Sequence, residues 1–278
     1  MKDHELTQGG YSIFHETMAD MTYPEVERAA REGAVALWSL AVIEEHGPHL
    51  PLGTDVYLPY VRLRQVRRLL LDRGVKSVIV PAYFWGVNHV TGGFPGSIDI
   101  RPGVMVELMT DVFRSLFKDG FRNAFCHSGH GDALHNRTID EAVRKARAEI
   151  GIDACIVLDA GLARRLGHEL PQPHLVVTPT DPPVADKFMD VHAGDWETSV
   201  LWGFYPGLVK DEISRALPST NFAPEDLAEW RQGGEHTRRK TPAGYLGNPA
   251  AADPERGRRI MERDTVLIAD AIAARVAG

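Results

Sequence analysis

From Val35 onward, apolar runs of strand length alternate with amphipathic stretches of helix length, and few folds accommodate that alternation. Val35 to Ile43 is a β-like run. Asp55 to Arg73 follows with helical spacing, because Val56, Tyr60, Leu63, Val66 and Leu70 step by three or four and share one face. Pro59 is placed in the opening turn, where a helix tolerates it best, and Gly74 ends the segment. Val75 to Phe84 is the next predicted strand and Val104 to Lys118 the next helix, stopped by Gly120. Phe121 to Cys126, Leu134 to Ile150 and Asp153 to Leu158 continue as strand, helix and strand. The pattern predicts βαβ units: an α/β fold with a mostly parallel sheet and helices on both faces. Leu170 to Asp190 breaks it with Pro171, Pro173, Pro179, Pro182 and Pro183, and reads as a long ordered loop near the active site. Asp195 to Phe204 reads as a short helix and Pro254 to Val276 as a final one, while Ser219 to Asn248 has no clear assignment. With no internal repeat, residues 1–278 are expected to form a single domain.

Charge and composition narrow the partners. A net charge of −7 argues against nucleic acid and anionic lipid. Arg238, Arg239 and Lys240 read as a solvated loop. No stretch approaches the ~20 apolar residues of a membrane span, and Met1 to Thr7 lacks the apolar core of a signal peptide. Cys126 and Cys155 sit in apolar runs and read as buried strand thiols, not a disulfide. A cytoplasmic location is the expectation.

Chemistry gathers at the ends of the predicted strands. The first cluster runs from Glu44 to Asp55 and holds Glu44, His46, His49 and Asp55. Strand alternation puts Glu44 and His46 on one side, and Asp55 arrives at the next helix start, at the C-terminal end of a parallel strand where ligand sites form. Mixed nitrogen and oxygen donors suit zinc or manganese. Taken singly, Asp55 also reads as a helix N-cap and His49 as a surface loop residue. The second cluster, His127 to Asn136, offers His130 and Asp132 to one centre; glycines flank His130 and permit close backbone approach. Asp132 reads equally as an N-cap, and His127 and His135 as supporting or surface residues. In the third, His192 is a natural proton carrier, and Glu197 is placed to orient it, hold a water or ligate a metal. The fourth, Tyr83 to Ser97, carries Trp85 and His89 among four glycines and reads as substrate-pocket lining or as a glycine-rich turn. No Gly-X-Gly-X-X-Gly or P-loop pattern is present.

Together these motifs resemble the creatininase family. The family pattern Glu-X-His-Gly-Pro-His-Leu-Pro-Leu-Gly-Thr-Asp stands at Glu44 to Asp55, and His-Ala-Gly-X-X-Glu-Thr-Ser at His192 to Ser199. Its Phe-Pro-Gly-Thr corresponds to Phe94 to Ser97, its Asn-Gly-His-Gly-Gly-Asn to Ser128 to Ala133, and a late Gly-X-Gly-X-Pro to Gly244 to Pro249 with one residue inserted. The resemblance implies a homo-oligomeric α/β enzyme, often a hexamer, using two divalent metal ions per chain, zinc or manganese. Residue by residue it implies Glu44, His46, Asp55 and His130 as metal ligands with Asp55 bridging, and His192 as the catalytic histidine. Part of the family carries a glutamate where Asp132 stands, which makes Asp132 a fifth candidate ligand of shorter reach. Ser97 and Trp196 join Trp85 and His89 as candidate substrate-binding residues.

The expected function is hydrolysis of an amide-type C–N bond in a small, cyclic substrate by a metal-activated water. His192 would donate a proton to the leaving group, assisted by Glu197. Val191, Ser128 and Ala133 depart from the creatinine-cleaving pattern and point away from creatinine itself. The alternatives are a carbon–carbon hydrolase acting on a cyclic polyol ketone, set by the pocket around Trp85, Phe188 and Trp196, and a metal-binding scaffold without activity.

Overall fold

A computed structural model describes residues 14–180 and 189–278. Five strands form one parallel sheet in the order β2-β1-β3-β4-β5: β1 (Val35–Leu40), β2 (Ser77–Tyr83), β3 (Asn123–Ser128), β4 (Asp153–Asp159) and β5 (Leu175–Thr178). The central register pairs Ala36 with Ala124 and Trp38 with Cys126. Every residue of β1 is buried, as expected of a strand covered on both faces.

Period-two alternation sorts the strand residues between two cores. Ala36, Trp38, Leu40, Cys126 and Ile156 pack with Met109 and Phe113 of α3 (Pro102–Lys118) and Ile139 and Val143 of α4 (Ala133–Glu149). Val35, Leu37, Phe125, Cys155 and Val157 pack on the other face with Leu63 and Val66 of α2 (Thr54–Asp72) and Ile268 and Ile272 of the C-terminal helix Pro254–Ala277. Cys126 and Cys155 thus face opposite cores, and both are free thiols.

The main strands and helices lie within a few residues of their predicted bounds. Three readings are corrected. The segment Leu170 to Asp190 contains β5, because Leu175-Val176-Val177-Thr178 is a β-branched run that pairs with β4 at the sheet edge. Pro182, Pro183 and Phe188 lie outside the described residues. Pro59 lies beyond the first turn of α2, which starts at Thr54. Short helices that the periodicity did not announce are also present: α1 (Tyr23–Arg31), capped by the Thr22–Glu25 box, and α5 (Ala160–Leu166), begun by the Asp159 side chain and ended by Gly167 at φ +85°. The unassigned stretch after Ser219 holds α8 (Pro224–Trp230) and α9 (Glu235–Lys240), and α7 (Asp211–Ala216) precedes it. The predicted helix at Asp195–Phe204 is α6, and the C-terminal helix is α10. No described helix is long and apolar enough to cross a membrane.

Candidate functional site

The strand order places the site. The chain steps from β1 outward to β2, then crosses back to β3 on the other side of β1. Where a parallel sheet reverses direction in this way, the connections at the C-terminal strand ends part and leave a crevice. The segment after β1 carries Glu44 and His46 into that crevice, and the segment after β3 carries His130. The β1 segment turns at Gly47, held at φ +65°, and is closed by the Glu44 amide donating to the Leu52 carbonyl at 3.0 Å. It then enters α2, whose first turn holds Asp55.

Glu44, His46, Asp55 and His130 are all buried and converge. Asp55 Oδ1 lies 3.2 Å from His46 Nε2, and Asp55 Oδ2 lies 2.9 Å from His130 Nδ1. His130 Nδ1 is also 3.0 Å from Glu44 Oε1. Glu197 Oε2, from the start of α6, stands 3.7 Å from His46 Nε2. Two groups of potential metal ligands follow, Glu44–Asp55–His130 and His46–Asp55–Glu197, with Asp55 common to both. A third, Glu44–His46–His192, overlaps them.

The residues fit divalent ions. Buried carboxylates demand positive charge or hydrogen bonds, yet His46 Nε2 and Asp55 Oδ2 have no well-formed hydrogen-bond partner. The electrostatics of the bare chain point the same way. Burial and neighbouring His192 depress the His46 imidazole, but Asp55 and Glu197 outweigh them and raise its pKa to about 9. Burial likewise opposes protonation of His130, and Glu44 and Asp55 drive it well upward. Asp55 is held below the usual carboxylate range, because His46 and His130 outweigh its own burial. This is a cluster calling for cations, with the nitrogen and oxygen donors that zinc or manganese take.

His192 is fixed from both sides. Its backbone forms a bridge with Leu246 (Leu246 N to His192 O, 2.8 Å). Its Nε2 lies 2.8 Å from the Glu45 carbonyl and 3.2 Å from Glu45 Oε1, leaving Nδ1 facing Glu44 Oε1 at 3.8 Å. Burial disfavours its charge, but Glu44 and Glu45 raise its pKa to about 10. Glu197 accepts the Ala193 amide, and burial keeps its carboxyl above its ordinary pKa. The residue that holds His192 is therefore Glu45, by its carbonyl with its carboxylate nearby, and the sequence did not single it out.

Other candidates fall elsewhere. Asp132 stays outside the described ligand groups: it caps α4, with Oδ1 accepting the Leu134 amide and Oδ2 the amides of His89 and Val90. Both of its carboxylate oxygens are engaged by backbone amides, as the capping role weighed for it requires. Trp85 is 45% exposed and lines neither major cavity; its ring lies on Phe84. Ser97 lines neither as well, since its Oγ accepts the Glu45 amide at 3.0 Å. Cavities of about 450 and 530 Å³ open on the cluster and share His130, His192 and Glu197. Trp196 lines the first, with the Arg62 guanidinium over its ring, and His89 lines the second.

His49 is buried, not a surface loop residue, and its Nε2 sits 2.9 Å from Thr198 Oγ1, tying the β1 segment to α6. Thr91 was missed: its hydroxyl bonds Glu44 Oε2 and Asn88 Oδ1, which turns Glu44 Oε1 toward His130. Asn-X-X-Thr inside the fourth cluster was the available signal.

Gly129 explains how His130 reaches Asp55. Pro59 has no N–H for the Asp55 carbonyl, and Gly129 packs against that carbonyl. A Cβ at Gly129 would stand 2.2 Å from the Asp55 oxygen and 2.6 Å from Pro59 Cγ. Gly129→Ala is expected to push His130 away and lower both retained metal and turnover, with the circular dichroism of the fold preserved. Unchanged metal content and turnover would contradict this close-approach role.

Known proteins resemble this chain in sequence and fold. The chain is 26% identical over 267 residues to the creatinine amidohydrolase of Pseudomonas putida, covering 92% of this chain and 95% of that protein. It is 30% identical over 224 residues to the mycofactocin precursor peptide peptidase of Mycolicibacterium smegmatis, covering 78% and 75%. A crystal structure of creatininase superposes with a TM-score of 0.70 at 23% identity, over 93% of this chain and 97% of that one. The family model for creatinine amidohydrolase matches residues 19–272, a span that contains both ligand groups, His192 and the whole sheet. The chain therefore belongs to the creatininase family.

Proposed function

We propose that the protein is a metal-dependent hydrolase that cleaves an amide-type C–N bond with a water that two divalent ions would activate. The observation that carries this reading is Asp55, whose two carboxylate oxygens face imidazoles of two different ligand groups at 3.2 and 2.9 Å. Glu44, Asp55 and His130 would hold one ion, and His46, Asp55 and Glu197 the other. Glu197 thus takes the additional ligand position, and Asp132 remains a helix cap. Creatininase structures of this fold exist in a manganese and a zinc–zinc form, which supports those two metals.

When bound, such ions lower the pKa of a water toward about 7 and polarise a carbonyl. The chain supplies the rest. Thr91 locks Glu44, and Gly129 lets His130 approach Asp55. His192, tethered through Nε2 to Glu45, presents Nδ1 to the cluster and would deliver the proton that the departing nitrogen needs. Glu45 acts as its positioning residue.

The test is a substrate panel on metal-loaded protein, containing cyclic amides, formamides, short peptides and cyclic ketones. Hydrolysis of amides or peptides, abolished by a chelator and restored by zinc or manganese, is expected. Turnover of cyclic ketones alone would replace the C–N reading with C–C hydrolysis. Absence of metal-dependent turnover across the whole panel would favour a metal-binding scaffold.

A further inference from the structure

Arg165 lines both cavities that open on the cluster, and Arg137 and Arg231 line the larger one. Among the described residues, none of the three guanidinium groups has a carboxylate within ion-pair distance or a hydrogen-bond partner. This is unusual in a chain of net charge −7, where acids outnumber bases. Arg165 and Arg231 line the same cavity, so their like charges share one wall. Partial burial and then the Arg231 charge depress the Arg165 guanidinium, and burial depresses Arg231. Asp190 and Glu197 line the same cavities, and the acids that offset part of this on Arg165 are Asp159 and Asp132. Both are committed to backbone amides, Asp159 to those of Gly161 and Leu162, and Asp132 to those of Leu134, His89 and Val90. Two guanidinium groups therefore line a cavity beside the cluster, and no described residue fills their forks. A guanidinium fork matches a carboxylate in two-pronged fashion and is held in place by that match.

We propose that Arg165 and Arg231, with Arg137 on the same cavity wall, receive a carboxylate carried by the substrate, so that the amide cleaved belongs to an N-acyl amino acid or peptide-like acid. This rests on the hydrolase reading above and narrows its substrate class. A neutral cyclic amide would leave the two guanidinium groups unpaired; an acid relieves their repulsion and is oriented by it.

The experiment is calorimetric titration of the metal-loaded full chain with N-acetylglycine and with its neutral partner N-acetylglycinamide, in wild type and in R165Q/R231Q. Metal content and circular dichroism of the variant serve as controls for folding, and the charge-preserving R165K/R231K is a second variant. The acid is expected to bind wild type more tightly than the amide and to lose about 10–100-fold in R165Q/R231Q, with R165K/R231K intermediate. Inorganic phosphate should compete less well than N-acetylglycine. The proposal is overturned if wild type shows no preference for the acid, if the preference survives in R165Q/R231Q, or if phosphate competes as well as N-acetylglycine. Because binding is read without turnover, the two readings fail separately. Arginine-dependent acid binding without hydrolysis sinks only the hydrolase reading, and hydrolysis without acid preference sinks only this one.

Discussion

Asp55→Ala is expected to strip the protein of both divalent ions and to lower amide turnover by more than about 10⁴-fold. That exceeds the about 10²–10⁴-fold usual for one acid–base group. The reason is position. Asp55 is buried, and its two oxygens serve both ligand groups, one against His46 and one against His130. Its removal leaves each group with two of its three members and removes the one carboxylate that would neutralise charge in both. Asp55→Asn should act almost as strongly, since the amide keeps the volume and loses the charge. Metal analysis and turnover on the same samples check this; full metal content with full turnover in Asp55→Ala would contradict it.

His192→Gln is expected to behave differently: both ions retained and turnover lowered by about 10²–10⁴-fold. His192 lines both cavities, and its Nε2 is occupied by Glu45, so Nδ1 is the nitrogen available to a reacting group. Glu45→Gln should lower turnover less, because the Glu45 carbonyl still accepts from Nε2. Loss of an ion in His192→Gln would assign this residue instead to the third ligand group, with Glu44 and His46.

The sheet was legible because its strands are long apolar runs separated by helices of clear period. Val35 to Leu40 is buried on both faces, and Leu63, Val66 and Leu70 all enter one core as their spacing demands. β5 was not legible, since four residues among prolines carry too little periodicity, and α5, α7, α8 and α9 are too short to show two turns of a pattern. At the site, Glu44, His46, Asp55 and His130 stood out as polar residues following predicted strands or opening a helix, and the creatininase resemblance implied them as ligands. The choice between Asp132 and Glu197 could not be made. Asp132 is two residues from His130 and Glu197 is far along the chain, yet Glu197 is the one that reaches His46, while Asp132 is engaged by three amides. Glu45 and the three arginines were invisible for the same reason: their surroundings depend on which neighbours the fold brings, or fails to bring, against them.

The most direct measurement is the number of zinc or manganese ions bound per chain, by titration of chelator-treated protein, in wild type beside His130→Ala and His46→Ala. The account predicts about two ions for wild type and about one for each variant, since each removes a ligand from a different group around the shared Asp55. A single ion in wild type, or loss of the same single ion in both variants, would contradict it.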